Sequence, residues 1–290
     1  MGYLFLSIAL FVGALKGYCG KRMSDYVKSP ADSMFVNTIR MLFCILIGFG
    51  FALIMQGSIS AFLIDGKTLL ISAVSGCATA TFVIAWLISV KNGAYMMVET
   101  FSTLGIFVPL LLCFMSFGEE IVWLKWVGLA ILVVAAYIMC SYNNNIKPKL
   151  HKTTYLTLSL CGIANGLVQF SQKWFNYEMN SRLTGGLVDA TVFNFYTYVF
   201  AALTLLISLF FFRRVEKKET KTSPLEILKN VLLYVSLMSI CLFMHSYFTT
   251  LAGSYLDSSE LYPLQHGVGL ILSLLISAIF SRKRLRKNAL

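Results

Sequence analysis

Long apolar segments that alternate with short polar connections constrain this chain more than any other feature. A transmembrane helix needs about 20 apolar residues to cross the hydrocarbon core of a bilayer. Segments of that kind lie near residues 3–20, 33–55, 68–90, 94–116, 121–142, 154–178, 188–212, 230–251 and 258–281. None of them shows the period-two alternation of a membrane β-strand, and lipid admits only helices or closed barrels. The sequence therefore predicts an all-α polytopic membrane protein with nine transmembrane helices.

The composition excludes a soluble globular protein. Of the 290 residues, 58% are hydrophobic and 13% are charged, whereas soluble domains carry about 25% charged residues. A net charge of +11 in a soluble protein would suggest nucleic-acid binding, but here the basic residues lie mainly in the connections between apolar segments, as membrane topology predicts. We therefore expect contact with the lipid bilayer and no nucleic-acid partner.

Several kinds of site are not expected from the sequence. The seven cysteines lie in apolar segments and have neither CxxC motifs nor zinc-ligand spacing, so no metal site and no cofactor are predicted. There is no Gly-rich Walker loop, which argues against ATP as the energy source. The first apolar segment begins at Tyr3 without a basic region before it, and we interpret it as a retained helix and not as a signal peptide.

Two similar tripeptides, each followed by a glutamate, indicate a duplicated unit. The tripeptide Gly-Ala-Tyr at 93–95 precedes Glu99, and Gly-Ser-Tyr at 253–255 precedes Glu260. The predicted units are a first repeat at 1–142 with helices 1–5, a linker at 143–151, and a shortened second repeat at 152–290 with helices 6–9 and a basic cytoplasmic tail. A unit with an odd number of helices reverses the orientation of the next unit. The pattern therefore predicts an inverted structural repeat, which is typical of alternating-access carriers.

The segment from Gly93 to Met139 carries the most specific pattern. It combines the Gly-Ala-Tyr turn, Pro109, a Phe-Gly-Glu hinge that ends at Glu119, and a Lys-Trp-x-Gly helix that begins at Lys125. This pattern resembles the fourth and fifth helices of the drug/metabolite transporter (DMT) superfamily, EamA-like transporter family. The resemblance implies a DMT-like bundle in which helices 1, 3, 4, 6, 8 and 9 surround a cavity and peripheral helices often form a dimer surface. It also implies a tenth helix, which the expected bundle of five plus four helices lacks, either naturally or through truncation.

The distribution of Lys and Arg predicts the orientation in the membrane. The connections after helices 1, 3, 5 and 7 and the tail hold most of these residues, whereas the opposite side holds Lys67, Lys125 and Arg182. The positive-inside rule places the N-terminus outside and the C-terminus in the cytoplasm of a multi-pass plasma or inner membrane protein. The family resemblance implies an N-terminus inside. We give more weight to the charge bias because it is strongly one-sided.

Ionisable side chains inside a bilayer are unfavourable unless they are paired or hydrated, so they indicate substrate or ion pathways. Glu99 and Glu260 occupy similar places in the two halves and are candidates for coupling or substrate contact. The alternative for Glu99 is a solvated interfacial position, and for Glu260 a first-turn position favoured by the helix dipole. Lys16, between Gly13 and Gly17, either offers a cation to an anionic group or extends to the interface.

Lys173, Glu178 and Asp257 are further candidates of this kind, and three more, His245, His266 and Arg40, need separate interpretation. His245 and His266 are interpreted either as hydrogen-bonded core residues or as members of the substrate site, and they face each other only if the eighth and ninth helices pack in register. Arg40 lies nearly two turns inside the second helix. We expect a carboxylate such as Asp32 or Asp25 as its partner.

A stripe of amide side chains marks the sixth helix. Asn165, Gln169 and Gln172 are spaced to share one helical face, and in a bilayer such a stripe points to a neighbouring helix or a water-filled cavity. With aromatic residues it is predicted to line a pocket for a planar or quaternary cation, held by stacking and cation–π contacts. Those aromatic residues are Trp86, Tyr95 and Tyr247. The family resemblance adds Tyr262 to this cavity.

The leading hypothesis is a secondary active transporter that moves a small organic metabolite or drug-like compound across the cell membrane by alternating access. Its partners would be that small-molecule substrate, the bilayer and, in a homodimer, a second copy. Two alternatives stay open. One is a membrane-embedded enzyme acting on lipid-linked substrates. Such an enzyme needs a nucleophile–base pair or a metal site, and the only candidate residues are His245, Asp257 and His266, so an enzyme is not expected. The other is a non-transporting regulatory relic of a transporter.

Overall fold

A computed structural model of the chain describes residues 1–23, 30–91, 95–120, 123–146, 152–181, 187–215 and 224–280. Within these residues the backbone forms ten α-helices, one short 3-10 helix at Ile59–Phe62, and no β-strand. The α-helices are α1 (Gly2–Met23), α2 (Pro30–Gln56), α3 (Gly66–Lys91), α4 (Tyr95–Leu104), α5 (Phe107–Phe117), α6 (Trp123–Ile146), α7 (Lys152–Ser181), α8 (Leu187–Val215), α9 (Pro224–Gly253) and α10 (Ser258–Phe280). The predicted all-α class is confirmed over this part of the chain.

Eight of the nine predicted segments are continuous helices where the structure describes them, and the fourth is helical except at residues 105 and 106. α9 begins at Pro224, well before the predicted start at 230, because proline suits the first position of a helix. α6 continues to Ile146, so the first residues of the predicted linker at 143–151 are helical. Asparagine lowers helix propensity only modestly and does not end a helix by itself.

The fourth predicted helix is divided in two. α4 ends at Leu104 and α5 begins at Phe107. Pro109 has no N–H to donate to the carbonyl of Gly105 in the α-helical pattern, which breaks the hydrogen-bond ladder at this point. The Gly105 carbonyl accepts from the N–H of Val108 instead, at 3.1 Å, in the tighter pattern of a 3-10 turn.

Six segments of the described chain are long and apolar enough to cross a membrane. They are Gly2–Gly20, Ala31–Met55, Gly66–Ser89, Thr100–Phe117, Ala190–Phe212 and Leu228–Gly253. α7 does not meet this criterion because its apolar sequence is interrupted by the amide stripe and by Lys173 and Glu178. The structure therefore supports a multi-pass membrane protein, while nine crossings and an inverted repeat stay predictions.

Helices from the beginning of the chain pack against helices from its end. The most extensive contacts join α1 to α9, α3 to α7 and α2 to α8. The largest hydrophobic cluster lies among α2, α3, α8 and α9, and includes Met41, Val83, Tyr198, Leu205 and Phe243. This interleaving makes one bundle of the described helices instead of two separate ones.

Small residues allow the closest helix contacts. A Cβ built at Gly105 would lie 2.3 Å from the carbonyl oxygen of Gly162, and one built at Gly166 would lie 2.3 Å from that of Gly105. A Cβ built at Gly76 on α3 would lie 2.5 Å from the carbonyl oxygen of Thr197 on α8. Such approaches favour helix association in lipid, where the hydrophobic effect gives little driving force between helices.

The outer surface of the bundle is apolar. α6 exposes Trp123, Ile131, Tyr137 and Ile138, each more than half accessible. In a soluble protein such a surface would favour aggregation, but in a membrane it faces lipid tails.

Candidate functional site

The amide stripe of α7 reaches three different helices. Asn165 donates from Nδ2 to the carbonyl oxygen of Ser102 on α4 at 3.1 Å. Gln169 contacts α10, and Gln172 donates from Nε2 to Oγ of Ser246 on α9 at 3.2 Å. The stripe therefore lies on the inner face of the bundle, and each amide has a separate structural environment.

Gln169 and two residues of α10 form the most buried of these contacts. Nε2 of Gln169 lies 2.7 Å from Nε2 of His266. The hydroxyl of Tyr262 donates to the main-chain carbonyl of Gln169 at 2.5 Å. Gln169 is 4% exposed and Tyr262 is fully buried. Three predicted site residues, Gln169, Tyr262 and His266, are thus brought together.

His245 lies between α1 and α10. Its Nδ1 is 2.8 Å from the carbonyl oxygen of Ala9 on α1. A carbonyl oxygen only accepts, so Nδ1 carries the proton, and in the neutral ring Nε2 is an acceptor. Nε2 of Gln265 lies 3.4 Å from this acceptor. Gln265 thus ties His245 to α10, and it is adjacent in sequence to His266.

We name Gln169, His245, Gln265 and His266 the amide–imidazole cluster. The side-chain oxygens of Gln169 and Gln265 are buried and have no hydrogen-bond partner within the described residues. Rotating either amide by half a turn exchanges its oxygen and nitrogen, and one polar atom of each would still lack a partner. Burying a polar atom without a partner is unfavourable by about 1–3 kcal/mol. The cluster can therefore bind a ligand with hydrogen-bonding groups.

A second polar network lies at the end of the bundle that holds the start of α1. The ammonium of Lys173 on α7 lies 3.0 Å from Oε1 of Glu119, and both side chains are nearly buried, at 12% and 11% exposure. Lys173 also donates to the carbonyl oxygens of Gly253, at 3.1 Å, and Leu256, at 2.7 Å. Oε2 of Glu119 accepts from the N–H of Ser258, at 2.9 Å, and from its hydroxyl.

Glu260 belongs to the same end. Its Oε2 accepts from the hydroxyl of Tyr3 on α1 at 3.0 Å, and its Oε1 lies 3.9 Å from the ammonium of Lys125 on α6. Lys125 donates to Oγ of Ser259 at 2.7 Å. Glu260 lies in the first turn of α10, so it also benefits from the helix dipole. We name Tyr3, Glu119, Lys125, Lys173, Ser258 and Glu260 the end network.

The remaining predicted residues fall in other environments. Tyr247 is 4% exposed and packs edge-on against Phe51, 5.4 Å between ring centroids, inside a hydrophobic cluster. Trp86 is half-buried and packs against two other clusters. Lys16 lies half-buried on α1. Residues 93 and 94 and the side chains of Tyr95 and Glu99 lie outside the described part of the structure.

Sequence reasoning missed Gln265 and the pairing of Glu119 with Lys173. Gln265 stands next to His266, and Lys173 stands one helical turn after Gln169, on the face of the amide stripe. A search for polar residues at the spacing of the stripe would have found Lys173, whereas Gln265 is identified only as the polar neighbour of His266 in the sequence. The carboxylate partner of Lys173 comes from a distant connection, and no local spacing reveals it.

Within the described residues, no group of three or more His, Cys, Asp or Glu side chains is placed to hold a metal ion. No protein-family model matches the sequence, and no curated protein is significantly similar to it. Interpretation of the site therefore depends on its geometry.

Proposed function

We propose that this protein is a secondary active transporter that carries a small organic metabolite or drug-like compound across the cell membrane by alternating access. The observation that supports this function best is the amide–imidazole cluster. It places four polar side chains inside a membrane bundle and leaves two carboxamide oxygens without a partner in the described residues. Polar groups at such a depth are unfavourable unless a ligand or water uses them.

The helix contacts support an inverted repeat of the kind that DMT-like carriers have. In such a repeat α1 corresponds to α7, α2 to α8, α3 to α9, and the α4–α5 pair to α10. Exchanging the members of each pair turns each major helix contact into another observed contact. The contact of α1 with α9 becomes that of α7 with α3, and the contact of α2 with α9 becomes that of α8 with α3. The contact of α2 with α8 is converted into itself. This is the pattern expected of two related halves around a pseudo-twofold axis.

The end network supports a gate on one side of the cluster. Glu119 belongs to the first half of the chain and Lys173 to the second, and their ion pair joins the two halves. The bond from Tyr3 to Glu260 does the same. In an alternating-access cycle these contacts would break when this end opens and form again when it closes.

The chemistry of the cluster suggests which compounds bind. In the assigned amide orientations the side-chain oxygens of Gln169 and Gln265 accept hydrogen bonds and have no partner among the described residues, whereas Nε2 of His245 already faces the amide nitrogen of Gln265. A substrate with N–H or O–H donors, such as an amine, an amide or a polyol, would satisfy these oxygens. The positive-inside bias of the sequence further suggests a plasma or inner membrane protein whose N-terminus is outside.

A ligand-stabilisation screen tests this proposal. The unfolding temperature of purified protein is measured with amines, amides, nucleosides, sugars and amino acids, because a ligand at about 100 times its dissociation constant stabilises the fold by about 2.7 kcal/mol. We expect the effect of a hit to disappear in Gln169→Leu and to persist in Asn165→Leu, which removes an amide outside the cluster. A hit that is unchanged in Gln169→Leu would exclude the cluster as the substrate site.

A further inference from the structure

A buried arginine on α2 lacks an acidic partner among the described residues. Arg40 is 8% exposed and lies about 14 Å inside the apolar segment Ala31–Met55, at 1.5 Å per residue. Its Nη1 lies 3.8 Å from Sδ of Met238 on α9, and its Nε has no hydrogen-bond partner in the described chain. A thioether sulfur is only a weak acceptor, whereas a guanidinium has five N–H donors and stays charged.

No ion pair between Arg40 and a carboxylate is found among the described residues. No hydrogen bond or ion pair joins its guanidinium to Asp32, and Asp25 lies outside the described residues. A lipid headgroup is a poor partner for this side chain because Arg40 faces the interior of the bundle. A buried cation without an acidic partner among the described residues opposes folding, so its presence there indicates a function that needs the charge.

Contacts between α2 and α9 fix the position of this arginine. The single hydroxyl proton of Ser239 is shared between the carbonyl of Val235, at 2.7 Å, and that of Arg40, at 3.2 Å. Sγ of Cys44 donates to the carbonyl of Ser239 at 3.5 Å. The main chain at Arg40 on α2 and at Ser239 on α9 is therefore held in place. Met238 has three rotatable bonds and adapts easily, so its side chain can move aside for a ligand.

A second basic residue, Lys16, lies four residues before the end of the apolar segment Gly2–Gly20. Lys16 on α1 and Arg40 on α2 flank α9, which packs against both helices. Both cationic groups are within electrostatic range of the thiol of Cys44. Two cations around one interior position create a local positive potential, which favours an anion over a neutral or cationic group.

We propose that Arg40, assisted by Lys16, binds an anionic oxygen group, a carboxylate or a phosphate, of the molecule that the protein carries. This inference rests on the proposed function and narrows its substrate class. The planar fork of a guanidinium matches the oxygens of either group in a bidentate arrangement. Met238 and His245 are seven residues apart on α9, about 10 Å at 1.5 Å per residue. A substrate that reaches both sites is therefore elongated, with an anionic end at Arg40 and hydrogen-bond donors at the amide–imidazole cluster.

The stability of the ligand-free protein gives the first test. Arg40→Met replaces the cation with an apolar side chain of similar length, and we expect an unfolding temperature equal to or higher than that of the wild type, because a buried unpaired charge is removed. A clear fall in unfolding temperature would mean that Arg40 has a structural partner, and would overturn the proposal.

Matched ligands give the second test. The probes are inorganic phosphate, a hexose phosphate with its hexose, and a dicarboxylate with its diamide, added to the full-length protein in a neutral detergent. We expect at least one anionic probe to stabilise the wild type more than its neutral counterpart, and its affinity to fall at least tenfold in Arg40→Met. Arg40→Lys should recover part of this affinity. Lys67→Met is the control, because it removes an exposed cation, 68% accessible, at the end of the bundle.

Two further arms separate the possible outcomes. Nanodiscs of phosphatidylcholine, with or without phosphatidylglycerol, show whether a lipid phosphate is the anion. Stabilisation by phosphatidylglycerol that depends on Arg40, without any effect of soluble anions, would overturn a substrate site. A neutral compound that binds wild type and Arg40→Met equally, with no anionic hit, would contradict the anion site and leave the transport proposal standing. Arg40-dependent anion binding without flux in liposomes would keep the anion site and refute transport.

Discussion

The Nε2 atoms of Gln169 on α7 and His266 on α10 lie 2.7 Å apart, so a hydrogen bond joins these two helices inside the bundle. The hydroxyl of Tyr262 makes a second α7–α10 contact, to the carbonyl of Gln169 at 2.5 Å. These bonds still leave the carboxamide oxygen of Gln169 without a partner among the described residues. The contact is therefore fixed in position and retains a free acceptor, as a binding site requires.

Replacing Gly13 by alanine is expected to disturb the amide–imidazole cluster. A Cβ at this position would lie 2.8 Å from Nδ1 of His245, too close for two unbonded atoms, so the imidazole must move and lose its bond to the carbonyl of Ala9. We expect the affinity for a ligand of the cluster to fall by about tenfold, equivalent to about 1.4 kcal/mol. Thermal-shift titration of Gly13→Ala measures this change.

Gly17→Ala is the matched control, one turn further along α1. A Cβ at Gly17 would have no atom within 4 Å, so this variant should bind as the wild type does. Equal losses in the two variants would show that α1 tolerates no added methyl group, and that His245 has no special role.

Glu119→Gln is expected to destabilise the end network strongly. The change leaves the nearly buried ammonium of Lys173 with two carbonyl oxygens and no carboxylate. Breaking a buried ion pair by removing one partner decreases the free energy of unfolding by about 3 kcal/mol or more. Unfolding in mixed micelles with increasing sodium dodecyl sulfate gives this free energy.

The ion pair of Lys67 with Glu178, 3.5 Å long, offers a comparison at a more exposed position. Lys67 is 68% accessible, and exposed pairs contribute less than about 1 kcal/mol. Glu178→Gln should therefore change the stability little. If both carboxylate variants had the same small effect, Glu119 would not hold the two halves together.

The close approach of α7 to α4 and α5 predicts a sharp effect at Gly162. A Cβ there would lie 2.5 Å from the carbonyl oxygen of Phe101, a backbone atom that cannot move alone. Gly162→Ala is expected to lower stability by about 1–3 kcal/mol through overpacking. Gly128→Ala on α6 meets no atom within 4 Å and should be neutral or slightly stabilising, because alanine favours a helix. A neutral Gly162→Ala would mean that these helices are further apart than described.

The helices could be predicted because each apolar segment is long and ends in polar connections. The division of the fourth segment was missed, although Pro109 was noticed. Pro109 lies well inside the predicted helix at 94–116, where a proline either kinks a helix or breaks it. The close packing of Gly105 against Gly162 accompanies the break. That packing involves residues distant in sequence, which periodicity does not reveal.

The candidate site was predicted in part. Gln169, His245 and His266 were found because polar side chains within apolar segments are unfavourable unless they have a role. Tyr247 was grouped with them, but its ring lies in a hydrophobic cluster with Phe51. The aromatic content of a segment does not say which ring faces a cavity. The contribution of Glu99 stays a prediction.

Solute flux into liposomes tests the central claim most directly. Purified protein is reconstituted into liposomes and exposed to a mixture of small organic compounds, with a proton or sodium gradient imposed, and the internal solutes are quantified by mass spectrometry. Transport predicts that at least one compound accumulates in a saturable manner, at a rate that Gln169→Leu reduces about tenfold or more. Internal solutes no higher than those of protein-free liposomes, for every compound and both gradients, would contradict the account.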